Sequence, residues 1–108
     1  VSASRARDLA LALPGATEAP HGQRLAFRTP RRIFATLDAR ARDLNLMFDQ
    51  DLRDLHCEAA PQVFRPVEGG WGRMGFTRCD LDLVEEAGLV SALASAHRLA
   101  EPRVKRRR

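Results

Sequence analysis

The chain is short of the residues that most often announce a chemistry. Of its 108 residues two are cysteines, one is tryptophan and none is tyrosine. Cys57 and Cys79 are far apart and form no CxxC, so they are expected as reduced, partly buried thiols rather than a disulfide or a metal knuckle. His21, His56 and His97 have no metal-ligand spacing, and the adjacent His56 and Cys57 point in different directions on a helix. No metal and no cofactor is expected. No nucleophile–base pair can be assembled from spacing, so no catalytic residue is named and an enzyme is the least supported class. No apolar run approaches the roughly 20 residues of a membrane span, so no membrane partner is expected. No leader is read at the start, and a cytoplasmic location is the default expectation.

What is present fits one small folded domain. Hydrophobic residues make up 44% and charged residues 30%, the balance of a single-core globular protein. The net charge of +4 comes from one place. Arg103, Lys105, Arg106, Arg107 and Arg108 are five of the eighteen basic residues, so residues 1–102 hold thirteen basic against fourteen acidic side chains. The chain is therefore read as a domain over 1–102 and a basic, disordered tail over 103–108. The tail is either a polyanion footprint or simply a solvated end.

The pattern over Arg24–Phe48 carries most of the fold. Leu25 and Phe27, then Ile33, Ala35 and Leu37, then Leu44, Leu46 and Phe48 recur at every second position, which predicts three strands with one buried face. Thr29-Pro30-Arg31 and Ala39–Arg42 are short connections, implying an antiparallel meander. The opposite face carries Arg24, Arg28, Arg32, Thr36 and Asn45, with Ala26, Phe34 and Met47 between them.

Around this meander, residues 2–13 predict a helix capped by Ser2 or Ser4 and stopped by Pro14-Gly15, and 16–23 a loop. Asp49 is read as the N-cap of a second helix with Leu52, Leu55 and Ala59 on its apolar stripe. Residues 61–80 predict a second hairpin, with Val63-Phe64 in one strand and an extended run from Trp71 to Cys79 in the other. Asp82 with Glu85 resembles a capping box opening a last helix that Pro102 ends. The order helix, three strands, helix, hairpin, helix is an α+β domain: an antiparallel sheet with helices packed on one face and the other face at least partly open.

Several residues carry a resemblance: Leu13-Pro14-Gly15, Glu18, Gly22, Phe27, Arg32-Ile33-Phe34-Ala35-Thr36-Leu37, Asn45-Leu46, Gly70-Trp71-Gly72, Phe76-Thr77, Asp80-Leu81 and Arg98-Leu99. In this order they resemble the MmcQ/YjbR family of small bacterial proteins, from about Arg7 to Val104. The resemblance implies a CyaY-like fold whose two hairpins have been compared with a double-wing DNA-binding domain; family members are commonly labelled DNA-binding, with a largely undefined biochemical role. Two positions depart from the family pattern. Met47 stands where a lysine is common after the Asn-Leu of the third strand, and His97 where an aromatic residue is common in the last helix.

The candidate sites follow from these readings. Arg24, Arg28 and Arg32, with Arg31, Arg40 and Arg42 at hairpin ends, could contact phosphates, and Thr36 and Asn45 could hydrogen-bond phosphates or bases. Arg65, Arg73, Arg78 and Trp71 extend the set on the second hairpin. The plainer explanation is that strand arginines suppress edge pairing and that Trp71 closes the edge of the core. Residues 70–75, GWGRMG, match GxGxxG only literally, since no strand leads in and no helix opens from it; the glycines are expected to serve backbone geometry. Glu18 and His21 form the one polar pair kept as a possible pocket. Three functions remain: a DNA-binding domain, a module for a small anionic ligand, and a docking domain for an acidic protein partner. The oligomeric state is not readable.

Overall fold

The computed structural model describes residues 1–102; the expected disordered tail lies outside the described residues. The elements are α1 (Ala3–Leu11), β1 (Thr17–His21), β2 (Arg24–Arg28), β3 (Ile33–Asp38), β4 (Asp43–Leu46), α2 (Gln50–Ala59), β5 (Phe64–Pro66), α3 (Gly70–Met74), β6 (Thr77–Asp80) and α4 (Glu86–Ala100). The six strands form one antiparallel sheet in the order β1-β2-β3-β4-β6-β5. Helices α1 and α4 pack on each other and on β3, and α2 lies against β5. Phe27, Phe34, Leu44, Leu46, Leu81, Leu89 and Leu93 are fully buried between sheet and helices. The expected α+β class and helix-covered antiparallel sheet are what the chain forms.

Local chemistry explains most boundaries. The Arg5 amide donates to Ser2 Oγ and the Leu52 amide to Asp49 Oδ1, so Ser2 and Asp49 cap α1 and α2 as read. Asp82 caps nothing. Its own amide donates to Asp80 Oδ1, and α4 opens after Glu85 without a side-chain cap. On α2 the expected stripe is displaced: Leu55 is 63% exposed, and His56 instead packs between the rings of Phe48 and Phe64 at 4.6 and 5.0 Å.

Three departures shape the exposed face. Residues 17–21 are a strand, not a loop. β1 pairs with β2 through a two-residue turn in which Gly22 takes φ of 63°. It lacks alternation because it is a sheet edge, where Pro20 needs no ladder donor. Second, the β2–β3 register slips: Phe27 faces Ala35 but Arg28 faces Ile33, leaving Phe34 as a bulge. The extra residue turns Phe34 inward, edge-on to His97 at 5.3 Å, while Ile33, read as core, is only half-buried. Third, the run read as extended from Trp71 begins with the short helix α3, and only Thr77–Asp80 is strand.

Candidate functional site

Strand pairing sets out the exposed sheet face as cross-strand rows. Ala26, Thr36, Asn45, Arg78 and Arg65 stand in the central row. Asp38, Asp43 and Asp80 stand in the row on one side, toward the Asp38–Asp43 connection. By alternation Arg28, Met47 and Phe76 lie on the other side, toward the Thr29–Arg32 turn; ladder bonds from Met47 N to Phe34 O and from Val67 N to Phe76 O continue the sheet there.

At the acidic end the arginines are already paired. Arg24 lies across the sheet: its Nε donates to Thr36 Oγ1 at 2.8 Å and its second terminal nitrogen to the Thr36 carbonyl at 2.9 Å. The same nitrogen is 2.8 Å from Asp43 Oδ1, a charge contact rather than an aligned hydrogen bond, since that buried oxygen has no aligned donor. The other terminal nitrogen of Arg24 is 3.8 Å from Asp38. Arg78 Nε donates to Asp43 Oδ2 at 3.0 Å. Thr36, on the nominally open face, is thereby left 3% exposed. The amides of Ala41 and Arg40 donate to Asp38 Oδ1, and the Ala41 bond is the main reason that carboxyl sits below its ordinary pKa. A shallow concavity of about 550 Å³ between Arg24, Asp43, Asn45, Arg65, Glu68 and Arg78 therefore mixes both signs of charge.

The opposite end is different. Arg28, Arg31 and Arg32 flank a turn held by Thr29, which is fully buried. The Arg31 and Arg32 amides donate to Thr29 Oγ1, and that hydroxyl donates to the Ala100 carbonyl of α4. Arg28 Nε donates to the Thr29 carbonyl, and Arg31 to the Leu99 carbonyl at the end of α4. Among the described residues none of these three arginines makes an ion pair. Asp49, nearby, is used as the cap of α2. Arg31 and Arg32 line a concavity of about 300 Å³ together with Met47, Met74, Phe76 and Leu99.

The remaining expected residues separate. Glu18 and His21 are three apart on β1, so alternation sends them to opposite faces, and they form no pocket. Glu18 is held in a two-pronged pair by Arg7 of α1, which lowers its pKa. Arg73 lies on α3 with an exposed side chain, and its carbonyl accepts from Gln50 Nε2 at 2.8 Å. Trp71 does not close the core. It is 59% exposed and lies flat on Phe76, with centroids 5.3 Å apart and planes 10° apart. Phe76 and Met74 were not singled out from the sequence. The signal for Phe76 is its two-residue spacing from Arg78, which puts both on the exposed face.

Among the described residues no cluster of three or more His, Cys, Asp or Glu side chains could hold a metal ion. No helix among them is long and apolar enough to cross a membrane. Burial pushes the Cys79 thiol up to about 12, and burial raises Cys57 as well, the reverse of what a nucleophilic thiol needs.

No family model matches the chain, and no curated protein matches it either. Among solved structures it is similar to the crystal structure of Deinococcus radiodurans protein DR2400, which carries a DUF419 domain. The TM-score is 0.72 over 88% of this chain and 75% of that one, at 21% identity, a likeness of fold.

Proposed function

We propose that the protein is a small nucleic-acid-binding module without catalytic activity, of the MmcQ/YjbR kind, that grips a phosphate backbone with Arg28, Arg31 and Arg32. The observation that carries this reading is the contrast in arginine pairing: the Arg28 and Arg31 guanidiniums meet carbonyls, and none of the three turn arginines forms an ion pair among the described residues, whereas Arg24 and Arg78 are drawn onto Asp43. An arginine without a carboxylate partner can meet a phosphate without first breaking an ion pair. The family reading is supported by the shared fold with a DUF419 protein, a domain related to MmcQ/YjbR. In this reading Thr36 and Asn45 support the sheet rather than touch the ligand, and the basic residues after Pro102 add attraction that carries no sequence information.

The test is fluorescence anisotropy of labelled DNA across a range of salt, with the full chain and with a chain ending at Pro102. Both are expected to bind. Replacing Arg28, Arg31 and Arg32 by glutamine is expected to flatten the dependence of log K on log salt by about two. Binding that disappears with the tail alone, or that ignores the three arginines, overturns the reading and directs attention to an acidic protein partner or a small anion.

A further inference from the structure

We infer that Trp71 is a base-stacking residue and that the polymer held by the arginine turn is single-stranded nucleic acid; this rests on the reading just given. A tryptophan with one ring face on Phe76 and more than half its surface exposed keeps its other face free. Phe76 also lines the concavity that holds Arg31, Arg32 and Asp49, whose carboxylate caps α2, so an aromatic surface and cations that form no ion pair among the described residues meet at one end of the sheet. That combination suits unpaired bases, whose π-faces can stack while the backbone runs along the arginines. A duplex hides those faces in its own stack.

The way α3 is mounted argues that the exposed ring is built in rather than left over. A Cβ on Gly72 would stand 1.7 Å from the Val67 carbonyl oxygen, so only glycine lets α3 sit this close to β5. Gly75 ends the helix at φ of 125°, and a Cβ there would meet the Asp49 backbone at 2.3 Å. From α2, Arg53 donates to the Gly72 carbonyl at 2.8 Å and Gln50 to the Arg73 carbonyl at 2.8 Å, closing the end of the helix. A five-residue helix is thus clamped on two sides while its tryptophan and Met74 face outward. The GWGRMG run serves this mount.

Because Trp71 is the only tryptophan and there is no tyrosine, its emission reports directly on the proposed contact. The full chain would be titrated with a thymidine oligonucleotide of about a dozen residues, within the usual range of such sites. An abasic oligomer of the same length and a blunt duplex serve as comparisons, with anisotropy of the labelled polymer followed in parallel. The thymidine strand is expected to quench Trp71 and to bind about tenfold tighter than the abasic one. Trp71→Ala is expected to erase that margin without changing abasic binding, and Trp71→Phe to keep most of it. Equal affinity for thymidine and abasic strands, unchanged emission, or a preference for duplex overturns the stacking inference while the arginine reading stands. Failure to bind any of the three polymers overturns the arginine reading itself.

Discussion

Arg24 and Arg78 reach the row of strand aspartates: Arg78 stands opposite Asn45 and meets Asp43 diagonally, Arg24 reaches it across β3, and both guanidiniums close on Asp43. Arg28, Arg31 and Arg32 sit around a turn whose surroundings are backbone carbonyls, methionines, aromatic rings and one acid, Asp49, which is engaged as the cap of α2. One group lies on the sheet face and the other at its end, and a count of charges cannot tell them apart. Cross-strand pairing is the difference. A ladder holds each side chain within reach of fixed neighbours, opposite and diagonal, so acids in an adjoining row neutralise it. The turn has no such ladder, and among the described residues its arginines form no ion pair.

The comparison can be attacked from its structural root outward. The bulge at Phe34 shifts the β2–β3 register and turns a sheet residue into the core. Phe34→Ala is expected to destabilise the protein by about 3–5 kcal/mol in urea unfolding, and Ile33→Ala by clearly less. Equal losses would mean that the register slip does not set the core. Next in size is Asp43. Its removal leaves two partly buried guanidiniums facing each other, and Asp43→Ala is expected to cost about 2 kcal/mol after allowing for the partial exposure of Arg24 and Arg78. Arg32→Ala is expected to stay within about 0.5 kcal/mol, since nothing in the fold leans on it. If the two substitutions changed places in that ranking, the division of the face would be wrong.

Acid should separate the ends by a smaller effect. Asp38 sits below its ordinary value of 3.8, chiefly through the Ala41 amide, so its folded form binds a proton less readily than its unfolded form. Its contribution to stability is present above that ordinary value and is lost as pH falls through the lower folded one. Asp38→Asn should therefore flatten the fall of the melting temperature below about pH 4. The variant lacking the three turn arginines should keep the native acid profile. A flattening in that variant instead would place a hidden carboxylate partner at the turn.

Much of the architecture is legible in residue order, because it rests on alternation and caps. Leu25 and Phe27, Ala35 and Leu37, and Leu44 and Leu46 do lie on one buried face, and Ser2 and Asp49 do cap helices. What escapes alternation is what depends on pairing. β1 is held by backbone bonds at an edge, so its side chains carry no period. Ile33 and Phe34 are both apolar, and only the register across to Arg28 decides which of them turns inward. α3 is too short to show a helical repeat. The site is less legible for the same reason. Thr36, Asn45 and Arg78 do fall in one row, but whether Arg24 is available depends on Asp43, which only the folded sheet brings beside it.

The buried hydroxyl of Thr29 joins the turn to the last carbonyls of α4, and Arg31 repeats the connection at Leu99. The turn therefore moves only as α4 moves, and the spacing of its cationic groups is a property of the whole domain. Such an element acts as a gauge: it meets a bound strand at a fixed separation and gives up little freedom when it does so. The length of strand it occludes should then stay constant as salt changes the strength of the grip, and Thr29→Val should make that footprint vary before it makes binding fail.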